Sequence, residues 1–266
     1  MRVIGLIFLF LLLLACFGRT TVQSPSGGDV IVYTDENDDD PRLLAVMVNA
    51  DLPEAVIEAL AAQSPGFLAD IHAVLEGGRH LRELVDKQHA LSSGFSPPDR
   101  VVLEDGVYRV TREGMTLNRA AEVSLGEMAA AARADGVILT VASAYRSFAY
   151  QAEVNARLVS QMGQEAADRV SARPGHSQHQ TGLVVDFAPI DNAFAQSPAG
   201  LWVAANASRF GWSLSYPDGY EAITGYSWES WHYRYVGREL AVFIDRYFGG
   251  IQHYALRFLH EWELYQ

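Results

Sequence analysis

The alternation of apolar and polar positions divides the chain into stretches of different character. Residues 3–15 are almost continuously apolar, and residues 17–41 are polar with an acidic run at 35–40. Apolar side chains at helical spacing indicate two amphipathic helices within 51–78. Beyond about residue 81, helical periods alternate with short apolar runs of strand length. This mixture of helices and short strands predicts an α+β fold.

The elements beyond residue 81 can be assigned from their periods. The predicted elements are helices over 119–134, 148–162 and 251–265 and strands over 101–103, 137–141, 184–187 and 231–236. In the alanine-rich helix 119–134, we expect Val123, Met128 and Ala132 to face the core.

The N-terminus has the pattern of an export signal. Arg2 supplies one positive charge before the apolar run, which is shorter than the ~20 residues of a membrane-spanning helix. The tetrapeptide Leu-Leu-Ala-Cys ending at Cys16 resembles a bacterial lipobox, which implies lipidation of Cys16. Plain secretion and an uncleaved anchor helix are the alternatives. Each places the remaining chain outside the cytoplasm.

The same patterns suggest a domain organisation. We predict a signal peptide at 1–16, an acidic flexible tether at 17–41, a helical appendage at 42–80 and a main domain at 81–266. Low hydrophobicity and charges of one sign favour an extended, flexible segment at 17–41.

Charge and cysteine content exclude several classes of protein. Acidic residues outnumber basic ones by 32 to 20 in 266 residues, so the formal net charge is −12. A field of that sign repels phosphates, so we expect no nucleic-acid partner. The single cysteine excludes an internal disulfide and a metal site built from several cysteines.

Two clusters of polar residues interrupt apolar surroundings. His179 lies in a glycine-containing turn before an apolar strand, and Asp186 interrupts that strand, where an unpaired carboxylate is costly. His232 and Glu229 lie together among aromatic residues. Two histidines and a carboxylate are a ligand set of catalytic Zn2+, and Glu229 is placed to accept a proton from water. The spacing alone is only moderately specific, and the His-Glu-x-x-His pair of common zinc proteases is absent.

Three motifs resemble those of one family. Residues 174–186, PGHSQHQTGLVVD, resemble the S-x-H-x-x-G-x-x-x-D signature of the VanY-type zinc D-alanyl-D-alanine carboxypeptidases. Residues 229–232 match that family's E-x-W-H, and residues 143–147 with Gln151 resemble its S-x-Y-R-S…Q segment. The similarity extends from about residue 81 to the C-terminus.

The resemblance implies a fold and a metal centre. It implies an α+β domain in which a small antiparallel sheet, flanked by helices, holds zinc in a cleft. His179, Asp186 and His232 would be the zinc ligands, and Glu229 would be the general base and then the general acid.

It also implies residues that contact the substrate. Arg146 would hold the substrate's terminal carboxylate or stabilise the oxyanion, for which a planar guanidinium is suited. Gln151 and Ser177 would make weaker substrate contacts. Family members often have glutamate where this chain has Gln178, and we expect no loss of activity from that difference. His176 is extra to the motif and is expected at the rim of the cleft.

The resemblance implies an exported zinc carboxypeptidase that removes a C-terminal D-alanine from peptidoglycan stem peptides. The protein would reach the membrane through a lipid anchor, or not at all if it is simply secreted. An L,D-carboxypeptidase, a D,D-dipeptidase and a wall endopeptidase share the motifs and stay open. A catalytically inactive lipoprotein that binds the cell wall is the alternative from another class.

Overall fold

The computed structural model describes residues 17–23, 29–35, 41–61 and 64–265. The predicted signal peptide and its Cys16 lie outside these residues. The chain divides into two compact units, one formed by residues 75–253 and the other by the residues on either side of them.

Strands are short throughout the described residues. They are β1 Phe17–Gln23, β2 Asp29–Asp35, β3 Arg100–Val102, β4 Arg109–Val110, β5 Thr116–Asn118, β6 Thr140–Ser143, β7 Val184–Phe187, β8 Trp212–Leu214 and β9 His232–Tyr235.

Along the chain, helices are interspersed with these strands. They are α1 Pro41–Asn49, α2 Glu54–Ala61, α3 Ser64–Glu76, α4 Arg119–Ala134, α5 Phe148–Met162, α6 Gln164–Val170, α7 Pro198–Asn206, α8 Glu221–Thr224, α9 Arg238–Phe248 and α10 Gln252–Leu264. Among the helices described, none is both long and apolar enough to cross a bilayer.

The smaller unit contains a pair of strands as well as helices. Strands β1 and β2 pair antiparallel within the segment 17–41. The run Val-Ile-Val-Tyr-Thr at 30–34 has high strand propensity, which the acidic flank at 35–40 does not cancel. Further along, the aromatic rings of Phe67 and Phe258 pack 5.3 Å apart. The limits predicted for the tether and the appendage stay a prediction.

The larger unit is built on a five-stranded sheet of order β4-β6-β7-β9-β8. All its neighbours pair antiparallel except β4 and β6, which pair parallel at one edge. Strands β3 and β5 form a separate antiparallel pair. The α+β fold with a small, mainly antiparallel sheet flanked by helices is confirmed.

Apolar side chains from the sheet and α4 form the core of the larger unit. Met128, Phe187 and Trp212 are fully buried there, and each such burial stabilises the fold by about 1.5–3 kcal/mol. The expectation for Val123 was wrong, because its side chain is 55% exposed. The buried stripe of α4 runs through Leu125, Met128 and Ala132 at helical spacing, and Val123 is not in register with it.

Candidate metal centre and active site

The register of the central strands brings two of the predicted ligands together. Asp186 on β7 pairs directly with His232 on β9, and Ser143 at the end of β6 flanks Asp186 on the other side. Residues far apart in sequence thus become neighbours because antiparallel pairing places opposite side chains on one face. All four residues of β7 are buried.

His179 is positioned by a short 3₁₀ turn, Gln178–Thr181, that precedes β7. The turn ends at Gly182, whose φ of 71° lies in the left-handed region that glycine adopts without strain. The Nδ1–H of His179 donates to the carbonyl oxygen of Ala144 at 2.6 Å. That bond places the ring proton on Nδ1, so Nε2 carries no proton. Nε2 lies beside the carboxylate of Asp186.

The three side chains converge closely. The Nε2 of His179 lies 3.2 Å from Asp186 Oδ2, and the Nδ1 of His232 lies 3.2 Å from Asp186 Oδ1. One ligand atom from each residue lies within 4.8 Å of the others. The imidazole rings meet edge to face, with centroids 4.9 Å apart.

The donor atoms at this point fit a metal ion. His179 Nε2 and Asp186 Oδ1 are buried and have no hydrogen-bond partner among the residues that the structure describes. With the His179 proton on Nδ1, both atoms are acceptors, and a buried acceptor without a donor costs about 1–3 kcal/mol. A cation between them removes that cost. Two imidazole nitrogens and a carboxylate oxygen are a ligand set that metals such as zinc accept.

The charge state of the cluster also suits a cation. Burial, aided by the Arg146 guanidinium, lowers the pKa of His179 to about 4, so this imidazole is neutral at neutral pH. Burial opposes ionisation of Asp186, but His179 and His232 outweigh it and hold the carboxyl pKa well below its usual value. Burial lowers the pKa of His232, but the adjacent carboxylates of Asp186 and Glu229 outweigh it, so the net shift is upward and the site favours positive charge at this point.

Glu229 lies in the loop before β9, at the edge of the cluster. Its Oε2 is 3.2 Å from His232 Nδ1, and its side chain is 17% exposed. Its backbone N–H donates to the carbonyl of Tyr216 at 3.0 Å. The carboxylate therefore reaches both the ligand cluster and solvent.

Asn192 holds the peptide units on either side of Glu229, and sequence reasoning missed it. Its Nδ2 donates to the carbonyl of Trp228 at 3.2 Å, and its Oδ1 accepts from the N–H of Ser230 at 3.1 Å. No motif marks Asn192, because the contact exists only after the two loops have met.

Arg146 lies between β6 and α5, beside Asp186. Its Nη2 donates to Asp186 Oδ2 at 3.1 Å, and its Nη1 donates to the Oε1 of Gln151 at 3.2 Å. Gln151 is fully buried, and its Nε2 donates to the Ala172 carbonyl at 2.7 Å and to Ser171 Oγ at 3.2 Å. Its amide is thus used in holding Arg146. The expected direct contact of Gln151 with substrate does not fit this placement.

The remaining predicted residues lie around the same turn. Ser177 is buried at the start of the turn that carries His179. The Nδ1 of His176 lies 2.7 Å from the backbone carbonyl oxygen of Asp86. This hydrogen bond links the partly buried histidine to the N-terminal part of the larger unit. Of the predicted residues outside the cluster, Arg146 and Glu229 contact it directly, Gln151 contacts Arg146, and Ser177 lies two residues before His179.

The site and the fold define a metal-binding α+β unit in which a glutamate and an arginine flank a His-Asp-His cluster. The family model of VanY, D-alanyl-D-alanine carboxypeptidase, matches residues 114–238. YodJ of Bacillus subtilis (strain 168) is 33% identical over 64% of this chain and 65% of its own length. The chain spans less than two thirds of the length of three curated relatives that share 33–39% identity with it.

Solved structures give the same grouping. The LD-carboxypeptidase LdcB is 33% identical, with a TM-score of 0.57 over 63% of this chain and 85% of that one. A variant of the vancomycin resistance D,D-pentapeptidase VanY, in complex with Zn(II), is 31% identical, with a TM-score of 0.54 over 66% of this chain and 99% of that one. The chain belongs to the VanY family of D-alanyl-D-alanine carboxypeptidases.

Proposed function

We propose that the protein is a zinc-dependent D-alanyl-D-alanine carboxypeptidase that removes the C-terminal D-alanine from peptidoglycan stem peptides. The observation that carries this proposal is the convergence of the ligand atoms of His179, Asp186 and His232 beside Glu229 and Arg146. Membership of the VanY family supports the same chemistry.

His179 through Nε2, Asp186 through its carboxylate and His232 through Nδ1 would hold the zinc ion. When bound there, zinc acts as a Lewis acid toward water and the scissile carbonyl. The two buried acceptors that lack hydrogen bonds, His179 Nε2 and Asp186 Oδ1, are the atoms that such an ion would satisfy.

Glu229 would move the proton. Its carboxylate lies beside the cluster and keeps contact with solvent, so its Oε2 can accept a proton from water and return it to the leaving amine. The hydrogen bonds between Asn192 and the neighbouring peptide units hold the loop that carries this carboxylate.

Arg146 would bind negative charge on the substrate. Its Nη atoms bond Asp186 and Gln151, while its Nε has no partner within the described residues and its side chain is 20% exposed. The guanidinium is thus held in place next to the metal cluster, where it would meet the substrate's terminal carboxylate or the developing oxyanion. Gln151 would act by positioning Arg146, and Ser177 remains a proposed weaker contact.

A second function keeps the mechanism and changes the substrate. The LdcB neighbour is named as an LD-carboxypeptidase, and its TM-score of 0.57 is above the 0.54 of the VanY variant. An L,D-carboxypeptidase would remove D-alanine from the tetrapeptide rather than from the pentapeptide stem. Both substrates expose a terminal carboxylate to Arg146.

Mass spectrometry of muropeptides incubated with the zinc-loaded protein tests both functions, with Glu229→Ala as the control. Loss of one alanine from the pentapeptide alone, abolished by the substitution, is the expected result. Loss from the tetrapeptide alone would assign L,D-cleavage. Cleavage of neither by a zinc-bound protein would refute the carboxypeptidase and leave a D,D-dipeptidase, an endopeptidase or a wall-binding protein.

We also propose that the protein acts outside the cytoplasm and is anchored through a lipid on Cys16. The apolar run before this cysteine supports export. The intact mass of protein from a bacterial membrane fraction tests the anchor. A lipid mass that disappears in Cys16→Ser supports it, and a cleaved, unmodified chain in the medium would show plain secretion.

A further inference from the structure

A row of buried amides and hydroxyls lies behind His232, on the side away from Asp186. Gln178, Ser215 and Gln252 are each 4% exposed or less, and we call these three side chains the glutamine relay. The relay runs from the Nε2 of His232 to the backbone carbonyl of Ser213 on β8. None of its members was singled out as functional by the sequence motifs.

The orientation of the relay is set at its far end. The carbonyl oxygen of Ser213 can only accept a hydrogen bond. The side-chain amide of Gln252 lies against it at 3.2 Å and must therefore present its Nε2. The Oε1 of Gln252 consequently faces the other way, toward Gln178.

Matching of donors with acceptors also fixes the orientation of the Gln178 side-chain amide. Its Nε2 donates to the Oε1 of Gln252 at 3.4 Å, since two amide oxygens cannot face each other at that distance. Its Oε1 then accepts from the Oγ–H of Ser215 at 2.7 Å and lies 3.3 Å from the Nε2 of His232. An oxygen at that position requires a proton on Nε2, so neutral His232 has a bare Nδ1.

We propose that the glutamine relay fixes the tautomer of His232 and so makes Nδ1 available as a ligand atom. This inference rests on the proposed function in one respect, namely that the ion at the cluster is zinc. Gln178 is then a positioning residue that acts through His232. Without the relay, the carboxylates of Asp186 and Glu229, each 3.2 Å from Nδ1, would draw the ring proton to that nitrogen.

The two histidines are thus oriented by different means. His179 donates directly to a backbone carbonyl, that of Ala144, which cannot rotate. The partner of His232 is a side-chain amide, which could flip by half a turn if nothing held it. The hydrogen bonds to Gln252 and Ser215 remove that freedom, and outer partners of this kind tune the affinity of metal ligands.

Nitrogen NMR of the histidines in the zinc-free full-length protein tests the tautomer directly. At a pH above the range in which histidine titrates, we expect His232 as the Nε2–H form in the wild type. In Gln178→Met, which preserves side-chain length but removes the acceptor, we expect the second tautomer to appear. Zinc affinity, measured by competition with a chelator, should fall by about 10–100-fold.

Gln252→Met should have a similar effect, because it frees Gln178 to flip. Added to Gln178→Met, it should lower zinc affinity little further, since both substitutions break one relay. Gln180→Met is the matched control. Gln180 is also buried next to His179, but its amide donates to the Ser92 and Phe95 carbonyls. We expect this variant to keep the His232 tautomer and the zinc affinity.

A single, unchanged His232 tautomer in both Gln178→Met and Gln252→Met would overturn the inference. Equal losses of zinc affinity in the Gln178 and Gln180 variants would also overturn it, because packing alone would then explain them. If one relay variant fails to fold, the other gives the same test. A wild type with the expected tautomer that binds no zinc would refute the proposed function and leave the role of the relay intact.

Discussion

The link between Arg146 and Asp186 can be tested by removing the guanidinium. In Arg146→Met the side chain keeps much of its apolar stem but loses the donors to Asp186 and Gln151. The carboxylate of Asp186, 3% exposed, then remains among buried neighbours without its cationic partner. The perturbation therefore exposes how much of the ligand cluster's stability depends on this guanidinium when no metal is present.

The magnitude follows from the burial of the two partners. Removing one member of a buried ion pair costs about 3–5 kcal/mol. Because the Arg146 side chain is 20% exposed, we expect about 3 kcal/mol for the zinc-free protein. Bound zinc would keep the carboxylate paired, so the remaining loss is the unpaired Oε1 of Gln151, about 1–2 kcal/mol.

Urea unfolding with zinc and with a chelator measures both values. Arg169→Met is the control, because Arg169 forms a two-pronged but exposed ion pair with Glu221. Exposed pairs contribute little, so this variant should change stability slightly and equally in the two conditions. Chelation should also lower the stability of the wild type, since an ion that binds only the folded state stabilises it.

Equal destabilisation of Arg146→Met with and without zinc would refute this reasoning. The cost would then arise from packing of the arginine stem and not from the charge of Asp186. A zinc-free variant as stable as the wild type would refute it as well.

Three further results are expected. Glu229→Gln should lower kcat/KM by about 10²–10⁴-fold in peptide assays, while a zinc titration should show the metal still bound; loss of zinc would mean that Glu229 is a ligand. Gly182→Ala should lower the unfolding free energy by about 2–5 kcal/mol in denaturant titrations, because φ is 71° and an added Cβ would lie 2.7 Å from Pro97 Cγ; an unchanged midpoint would contradict this. Burial raises the pKa of Asp86, but bonds from backbone N–H groups and the His89 ring outweigh it and leave it below 3.8. The stability difference between the wild type and Asp86→Asn should therefore be full above that pH and shrink as pH falls through the lowered pKa; a difference that grows on acidification would contradict the sign.

The motifs predicted which residues meet, and the strand register explains why. Asp186 and His232 are distant in sequence, yet β7 and β9 pair them directly. The S-x-H-x-x-G-x-x-x-D spacing also has a local cause. The glycine at 182 ends the turn that carries His179, and β7 begins two residues later with Asp186 as its third residue.

Other features could not be found from periodicity. The pairing of β1 with β2 depends on strand propensity that the acidic flank obscured. Val123 was expected in the core because it is apolar, but its position on α4 places its side chain in solvent. Gln151 matched a motif associated with substrate contact, whereas its burial and hydrogen bonds place it behind Arg146.

The sequence by itself determined the family, the α+β class and the identity of the His-Asp-His cluster, because these depend on local spacing and residue chemistry. Only the tertiary structure decided the finer arrangement. The hydrogen bonds among Gln178, Gln252 and the Ser213 carbonyl decide which nitrogen of His232 carries the proton. Asn192, from another part of the chain, forms the hydrogen bonds that hold the Glu229 loop. Hydrogen bonds have direction and range of about 3 Å, so they are defined only once distant segments are packed together.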